Sequence, residues 1–463
     1  MEQKINEQSL QEKLQEEKFK KMTESKIPGL IIELGIPTTI SMLITSFYNM
    51  ADTFFVGKIG TSATGGVGVV FSLMAIIQAM GFTFGHGSGN YISRQLGKHD
   101  YDDASQMAST GFFSALIAGT LFGITGLLFI NKLVEILGAT KTIAPYAKQY
   151  AMYILIGSPY MTASLVLNNQ LRYQGSAFYA MVGIATGAVI NIALDPILIF
   201  VFNMGTGGAG LATIISQFVS FLLLLKGCTK AGNLRLHFRD FNPSVRLYKE
   251  IIRGGLPSFC RQGLSSLAVI ALNFAAGIYG DAAIAAMSIV SKVTSFCYAA
   301  IMGFGQGFQP VCGFNYGAKL YGRVREAFFF CIKVITSFVI VLSIICITGA
   351  PYIIQFFRKG DMTVTAIGTA TLRAQALVFP LVGWITLTNM MLQTIGKAVS
   401  ASILAMARQG IFFLPFLMVL SYYLGLTGIE IAQTVADIAS FLLALALGII
   451  ELRKLKLLEK HEM

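Results

Sequence analysis

Charge is scarce in this sequence. Asp, Glu, Lys and Arg make up only 13% of its 463 residues, against 54% hydrophobic, whereas a soluble domain carries about 25% charged residues. So few polar side chains cannot coat a water-facing surface of this size. Cysteine and histidine are sparse as well: the six cysteines (228, 260, 297, 312, 331 and 346) form no CxxC pair, and the four histidines are scattered. That argues against a disulfide framework and a clustered metal centre, and the thiols read as small buried hydrophobes. Segments that alternate apolar and polar residues, the mark of an outer-membrane barrel, are missing. So is any nucleophile with a base, or any His and acid cluster at catalytic spacing, and an enzyme is not expected.

What is present is apolar length. Stretches such as Phe112–Ile130 and Thr336–Thr348 carry no charge at all, and a bilayer core needs roughly 20 consecutive apolar residues per helix. The fold class expected is all-α and polytopic, with twelve transmembrane helices. Period and breakers place them near 30–56, 64–92, 104–130, 144–168, 177–202, 208–227, 250–276, 283–311, 326–350, 368–393, 399–424 and 428–452. The net charge of +12 follows this topology. Segment Lys226–Arg253 holds seven basic residues against two acidic ones, and inside segments and tails together hold 24 Lys and Arg against 5 in outside loops. The positive-inside rule then puts both termini and this linker in the cytoplasm, and no nucleic-acid site is read into the charge. Residues 1–29, with six Lys and six Glu, lack the apolar core of a signal peptide. They read as a solvated helix with Glu–Lys pairing. The divisions expected are a charged segment 1–29, a first lobe 30–228, a basic linker 229–249, a second lobe 250–452 and a tail 453–463.

The second half repeats the first. Pro37, Gly57, Gly60 and Ala63 precede Pro257, Gly277, Gly280 and Ala283 by 220 residues, and Gly85, Gly87, Gly97 and Tyr101 stand in the same relation to Gly305, Gly307, Gly317 and Tyr321. Pro159, Asn168, Gly175 and Ala177 match Pro380, Asn389, Gly396 and Ala398 at 221, and Gly208, Ala212, Ser220 and Phe221 match Gly428, Ala432, Ser440 and Phe441 at 220. Six spans per half is an even number, so both halves enter the membrane with the same orientation. Parallel repeats of this kind belong to secondary transporters, with substrate near the midplane.

Five pieces carry a family resemblance. They are YNMADTFFVG over Tyr48–Gly57, YISRQLG over Tyr91–Gly97, NIALDP over Asn191–Pro196, GAGLAT over Gly208–Thr213 and QPVCGFNYGA over Gln309–Ala318. In order on twelve spans, they resemble the multidrug and toxic compound extrusion (MATE) family over about residues 27–450. The resemblance implies two six-helix lobes in a V shape in the plasma (inner) membrane. It also implies export of amphipathic organic compounds by alternating access, in exchange for protons or sodium, by a monomer without cofactors. A lipid-linked saccharide flippase of the wider superfamily is the alternative; the basic second lobe favours it, while twelve spans and a pair of acids oppose it.

That pair is Asp52 and Asp195. Asp52 lies about 22 residues into span 1, roughly 33 Å along it, and Asp195 about 18 residues into span 5. Asn191 is one turn before Asp195, and Thr213 lies about five residues into span 6. Two carboxylates, an amide and a hydroxyl thus reach one depth, a set suited to a proton or a sodium ion. The resemblance maps the same four residues onto the family's first-lobe cation site, which would be a metal site if sodium is the coupling ion. It also links the Pro37 kink to movement of span 1, although the repeat mate Pro257 fits a purely architectural kink. Tyr48, one turn before Asp52, fits either the substrate cavity or ordinary packing. By offset Asp52 faces Leu272 and Asp195 faces Leu414, so the acid site exists once. The second lobe instead places Arg261, Lys292, Arg373 and Arg408 in spans with Asp437 and Glu430. A structural network of Arg261 and Arg408 with Asp437 is expected, with substrate contact as the other reading. His86 and Gln306, repeat mates between glycines, read as side chains satisfied by backbone, with Gln306 also a candidate cavity residue. If pairing hides the basic groups, lipophilic cations and zwitterions are both exported.

Overall fold

In lipid every backbone N–H and C=O must find its partner within the segment, so an apolar chain of this length folds as helices. The computed structural model describes residues 2–230, 232–358 and 360–462, without the side chains of residues 2–9 and Thr61. Among the described residues there are fifteen α-helices and no strand. They are α1 (Glu2–Glu24), α2 (Ile27–Gly57), α3 (Thr61–Gly97), α4 (Tyr101–Leu128), α5 (Ile130–Ile136), α6 (Ala144–Tyr173), α7 (Ala177–Pro196) and α8 (Gly205–Gly227). The second series is α9 (Val245–Gly277), α10 (Asp281–Gly317), α11 (Tyr321–Phe357), α12 (Met362–Thr394), α13 (Ala398–Met406), α14 (Phe413–Leu424) and α15 (Leu426–Glu462). π-helical turns extend α7 over Ile197–Val201 and join α13 to α14 over Ala407–Ile411. Counting each of those two interrupted helices once, twelve are long and apolar enough to cross a membrane. All twelve coincide with the expected spans.

The repeat extends to the turns. Gly60, His99, Gly175 and Gly205 have positive φ, and so do their mates Gly280, Lys319, Gly396 and Gly425. His99 and Lys319 are the informative pair, because a side chain at positive φ is uncommon and both follow the glycine that ends a long helix.

The chain forms two compact units whose boundaries differ from the expected divisions. One comprises Met1–Ser25 with Ile36–Gly255, and the other Lys26–Gly35 with Leu256–Met463. The first turns of α2 therefore belong to the second unit, and the first turns of α9 to the first. Glycine explains this exchange. A Cβ at Gly87 would stand 2.2 Å from the Ile251 carbonyl oxygen, and one at Gly255 would stand 2.2 Å from that of Thr83. In the second unit a Cβ at Gly307 would lie 2.5 Å from the Gly35 backbone. Only glycine lets these helices touch backbone to backbone. Polar contacts fix the same end of α9, where Arg246 pairs with Asp103 and Glu250 with Arg94 at 3.4 Å. The chain passes between units two residues before Pro37 and again two residues before Pro257.

Helix α1 is not the solvated helix its charge suggests. Gln11, Leu14, Lys18 and Met22 recur at helical spacing on one face. Gln11 donates to the Asn233 carbonyl at 2.8 Å, and Lys18 donates to Ser176 Oγ at 3.0 Å and to Asn233 Oδ1. Met22 is 1% exposed against Gly175, and the Phe19 ring meets His99 at a tilt of 39° with centroids 3.8 Å apart. The expected Glu–Lys pairing survives on the outer face as Glu16–Lys20 at 3.9 Å. Burial lowers the Lys18 pKa to about 7 from an ordinary 10.5.

Two outcomes follow from these contacts. Gly87→Ala and Gly307→Ala each lower the melting temperature of the detergent-purified protein, by an overpacking cost of about 1–3 kcal/mol. Gly68→Ala, whose Cβ meets nothing within 4 Å, leaves it within error. For α1, the docked state binds fewer protons than the undocked one between about pH 7 and 10.5, so docking strengthens as pH rises through that window. A nitroxide at Lys20→Cys should lose mobility over this range, and adding Lys18→Met should abolish the dependence.

Candidate functional site

Three helices of the first unit bring the predicted polar residues together. Asp52 comes from α2, Asn191 and Asp195 from α7, and Thr213 from α8; none is more than 4% exposed. Asn191 Nδ2 donates to Asp195 Oδ1 at 3.4 Å, the one-turn contact their spacing anticipates. Thr213 donates to the Ala209 carbonyl at 2.9 Å. The hydroxyl of Tyr150 on α6 donates to Met74 Sδ at 3.8 Å and lies near Asp52 and Thr213, and Asp195 lies within electrostatic range of Asp52. Pro196 ends α7 immediately after Asp195 and a π turn follows, a distortion frequent at functional positions.

The accounting at this cluster is incomplete. Asp52 Oδ1, Asp195 Oδ2 and Asn191 Oδ1 are buried with no hydrogen-bond partner among the described residues. Buried acceptors left unpaired cost free energy, and paired burial is the rule. Three such oxygens in one cluster suit a proton or a small cation. Beside them lies a cavity of about 90 Å³ lined by Tyr48, Gln78, Asn168, Asn191 and Gln217 among others. Tyr48 and Asn191 thus connect the acid cluster to open space. Tyr150 and Gln217 were not singled out from sequence, because one polar residue in an apolar helix leaves no periodic signal.

The second unit has a larger cavity, about 220 Å³, and different chemistry. Arg408, inside the π turn, makes a two-pronged contact with Asp437: Nε to Oδ1 at 2.8 Å and Nη2 to Oδ2 at 3.3 Å. Gln433 donates to the same carboxylate at 2.8 Å, and the guanidinium lies 4.9 Å over the Tyr298 ring. The expected Arg–Asp network therefore forms for Arg408. It does not include Arg261, which lines the cavity. Gln306 is buried at 3% exposure on α10 and is not among the residues lining either cavity. Lys292 and Arg373 face outward, the latter bonding the Ile347 carbonyl at 3.0 Å.

Comparison with known proteins bears on this arrangement. The MatE family model matches residues 37–197 and 257–419, one stretch in each repeat. A relative from Staphylococcus haemolyticus (strain JCSC1435), the multidrug export protein MepA, is 28% identical over 428 residues, covering 91% of this chain and 93% of its own. Among solved structures, a MATE protein crystallised in complex with MaL6 superposes with a TM-score of 0.89 at 26% identity, covering 94% of this chain and 98% of its own. An outward-facing multidrug resistance MATE transporter of the MOP superfamily gives 0.88 at 27% identity with the same coverage.

The Arg408–Asp437 pair yields a stability test. Asp437→Asn leaves a buried guanidinium without its counter-charge and should destabilise the protein by about 3–5 kcal/mol, while the double replacement Arg408→Met with Asp437→Leu should cost far less. Melting temperatures of the three proteins in one detergent check it.

Proposed function

Because the chain belongs to the multidrug and toxic compound extrusion family, we propose that it exports amphipathic organic compounds by alternating access, driven by protons or sodium moving inward. Members of this family are transporters rather than enzymes. The lipid-linked saccharide flippase is not favoured, since the matched relative is a multidrug exporter along nearly its whole length. The observation that carries the coupling reading is the set of three partnerless buried oxygens on Asp52, Asn191 and Asp195. A proton or sodium ion, here a transported substrate, would satisfy them, with Thr213 and Tyr150 beside it. Neutralising the acids lowers the cost of their burial, so occupancy biases how α7 and α2 pack.

Pro37 is placed to pass that bias on. It interrupts α2 two residues after the chain leaves the second unit, and Ser41 bonds back to its carbonyl at 2.9 Å. Proline removes one helix hydrogen bond and leaves a point of bending. Tyr48, between Asp52 and the first-unit cavity, would meet substrate. The protein would work as a monomer in the plasma membrane without a cofactor, both termini and the basic linker in the cytoplasm.

Reconstituted vesicles with separately imposed proton and sodium gradients provide the test, with rhodamine 6G as the transported dye. One gradient should drive accumulation in the wild type. Asp52→Asn and Asp195→Asn should each lower the driven rate at least about tenfold, with insertion and melting temperature retained. Wild-type rates in both variants would reject the acid cluster and move the search to Asp437 and Glu430.

A further inference from the structure

The two cavities are the same cavity, copied. Thr45, Gln78, Asn168 and Gly187 line the first, and their repeat mates Ser265, Tyr298, Asn389 and Arg408, displaced by 220 or 221 residues, line the second. Their charges differ. Where the first unit has Asp52, the second has Leu272, itself a lining residue, and Arg261 stands at the position of Ser41. Arg408 is neutralised by Asp437. Arg261 makes no ion pair or hydrogen bond among the described residues, and no acid is among the residues lining this cavity. One formal positive charge therefore remains against a space whose other walls are neutral polar groups (Ser265, Gln375, Gln409) and apolar ones (Leu272, Phe379).

An arginine kept in a membrane-embedded cavity without a counter-ion is costly, and such residues face their functional partner. Guanidinium binds carboxylate and phosphate through parallel hydrogen bonds. We propose that the second-unit cavity is a binding subsite for the anionic group of an amphiphile, with Arg261 as its anchor. The exported compounds then include zwitterions and organic carboxylates whose apolar body lies along Leu272 and Phe379. The inference rests on the proposed export of organic amphiphiles for its biological sense, but the site itself is read by binding alone. A protein that failed to transport under either gradient would still reveal it.

The experiment compares rhodamine B with its methyl ester, two dyes that differ only in the free carboxylate. Fluorescence anisotropy is measured at neutral pH on the full chain in phosphatidylcholine nanodiscs, with empty nanodiscs as background. The wild type should bind the carboxylate about tenfold more tightly than the ester, the factor set by one added charge-assisted contact. Arg261→Gln should remove that preference while ester binding is unchanged. Arg261→Lys keeps the charge but not the fork and should retain an intermediate preference, so the question remains decidable if the glutamine variant folds poorly. Replacing half the lipid by phosphatidylglycerol separates two sources of the anionic group. Loss of carboxylate binding that depends on Arg261 would mean that a lipid phosphate occupies the same subsite, which supports the assignment. Equal affinity for the two dyes, or a preference that survives in Arg261→Gln, would overturn it.

Discussion

Four glycines set the backbone-to-backbone contacts at the starts of α2 and α9. Gly87 and Gly255 bring α3 and α9 together in one unit, and Gly35 and Gly307 bring α2 and α10 together in the other. In lipid there is no hydrophobic drive between helices, so association depends on how closely backbones can approach. These contacts hold the first turns of α2 and α9 in the unit opposite to the one that holds the rest of each helix. The same two helices carry the charge that distinguishes the units. Asp52 lies on α2 beyond Pro37, and Arg261 lies on α9 one turn beyond Pro257. Asp52 and Arg261 thus sit on the two helices, among those described, that belong to both units.

Duplication explains the shared framework, and divergence explains the chemistry. Turn conformations, glycine contacts and cavity walls recur at one offset, whereas ionisable residues do not. The first copy gathers two carboxyl groups and leaves oxygens unpaired. The second pairs one arginine with Asp437 and leaves another beside an empty volume. Keeping the backbone while changing a few charged side chains in each copy is the least disruptive route to two unlike sites.

Much of this was legible in the sequence because membrane helices advertise themselves. Long uncharged runs, the basic linker and the nearly constant offset placed all twelve spans, and depth arithmetic brought Asp52, Asn191, Asp195 and Thr213 to one level. What was not legible depended on azimuth, the direction a side chain faces around its helix. Depth put Arg261 and Arg408 level with Asp437, but only Arg408 points toward it. Gln306 shares its helix with lining residues yet is buried and is not one of them. Tyr150 belongs to the acid cluster through a rotation that no apolar pattern records. The exchange of helix starts was hidden for another reason: nothing in the sequence around Gly35 and Gly255 shows which helix backbone each will touch. Helix α1 was misread because charges on both of its faces mask the four-residue stripe that packs.

The contrast between Arg408 and Arg261 separates structure from function among buried charges. A guanidinium that finds a bidentate carboxylate, an amide neighbour on that carboxylate and an aromatic face has its desolvation offset within the protein, and removing it is a question of stability. Arg261, only partly buried, has none of these and lines the open cavity instead. The same logic runs in reverse in the first unit, where partnerless oxygens call for a cation. The two copies therefore leave deficits of opposite sign, one in each cavity region.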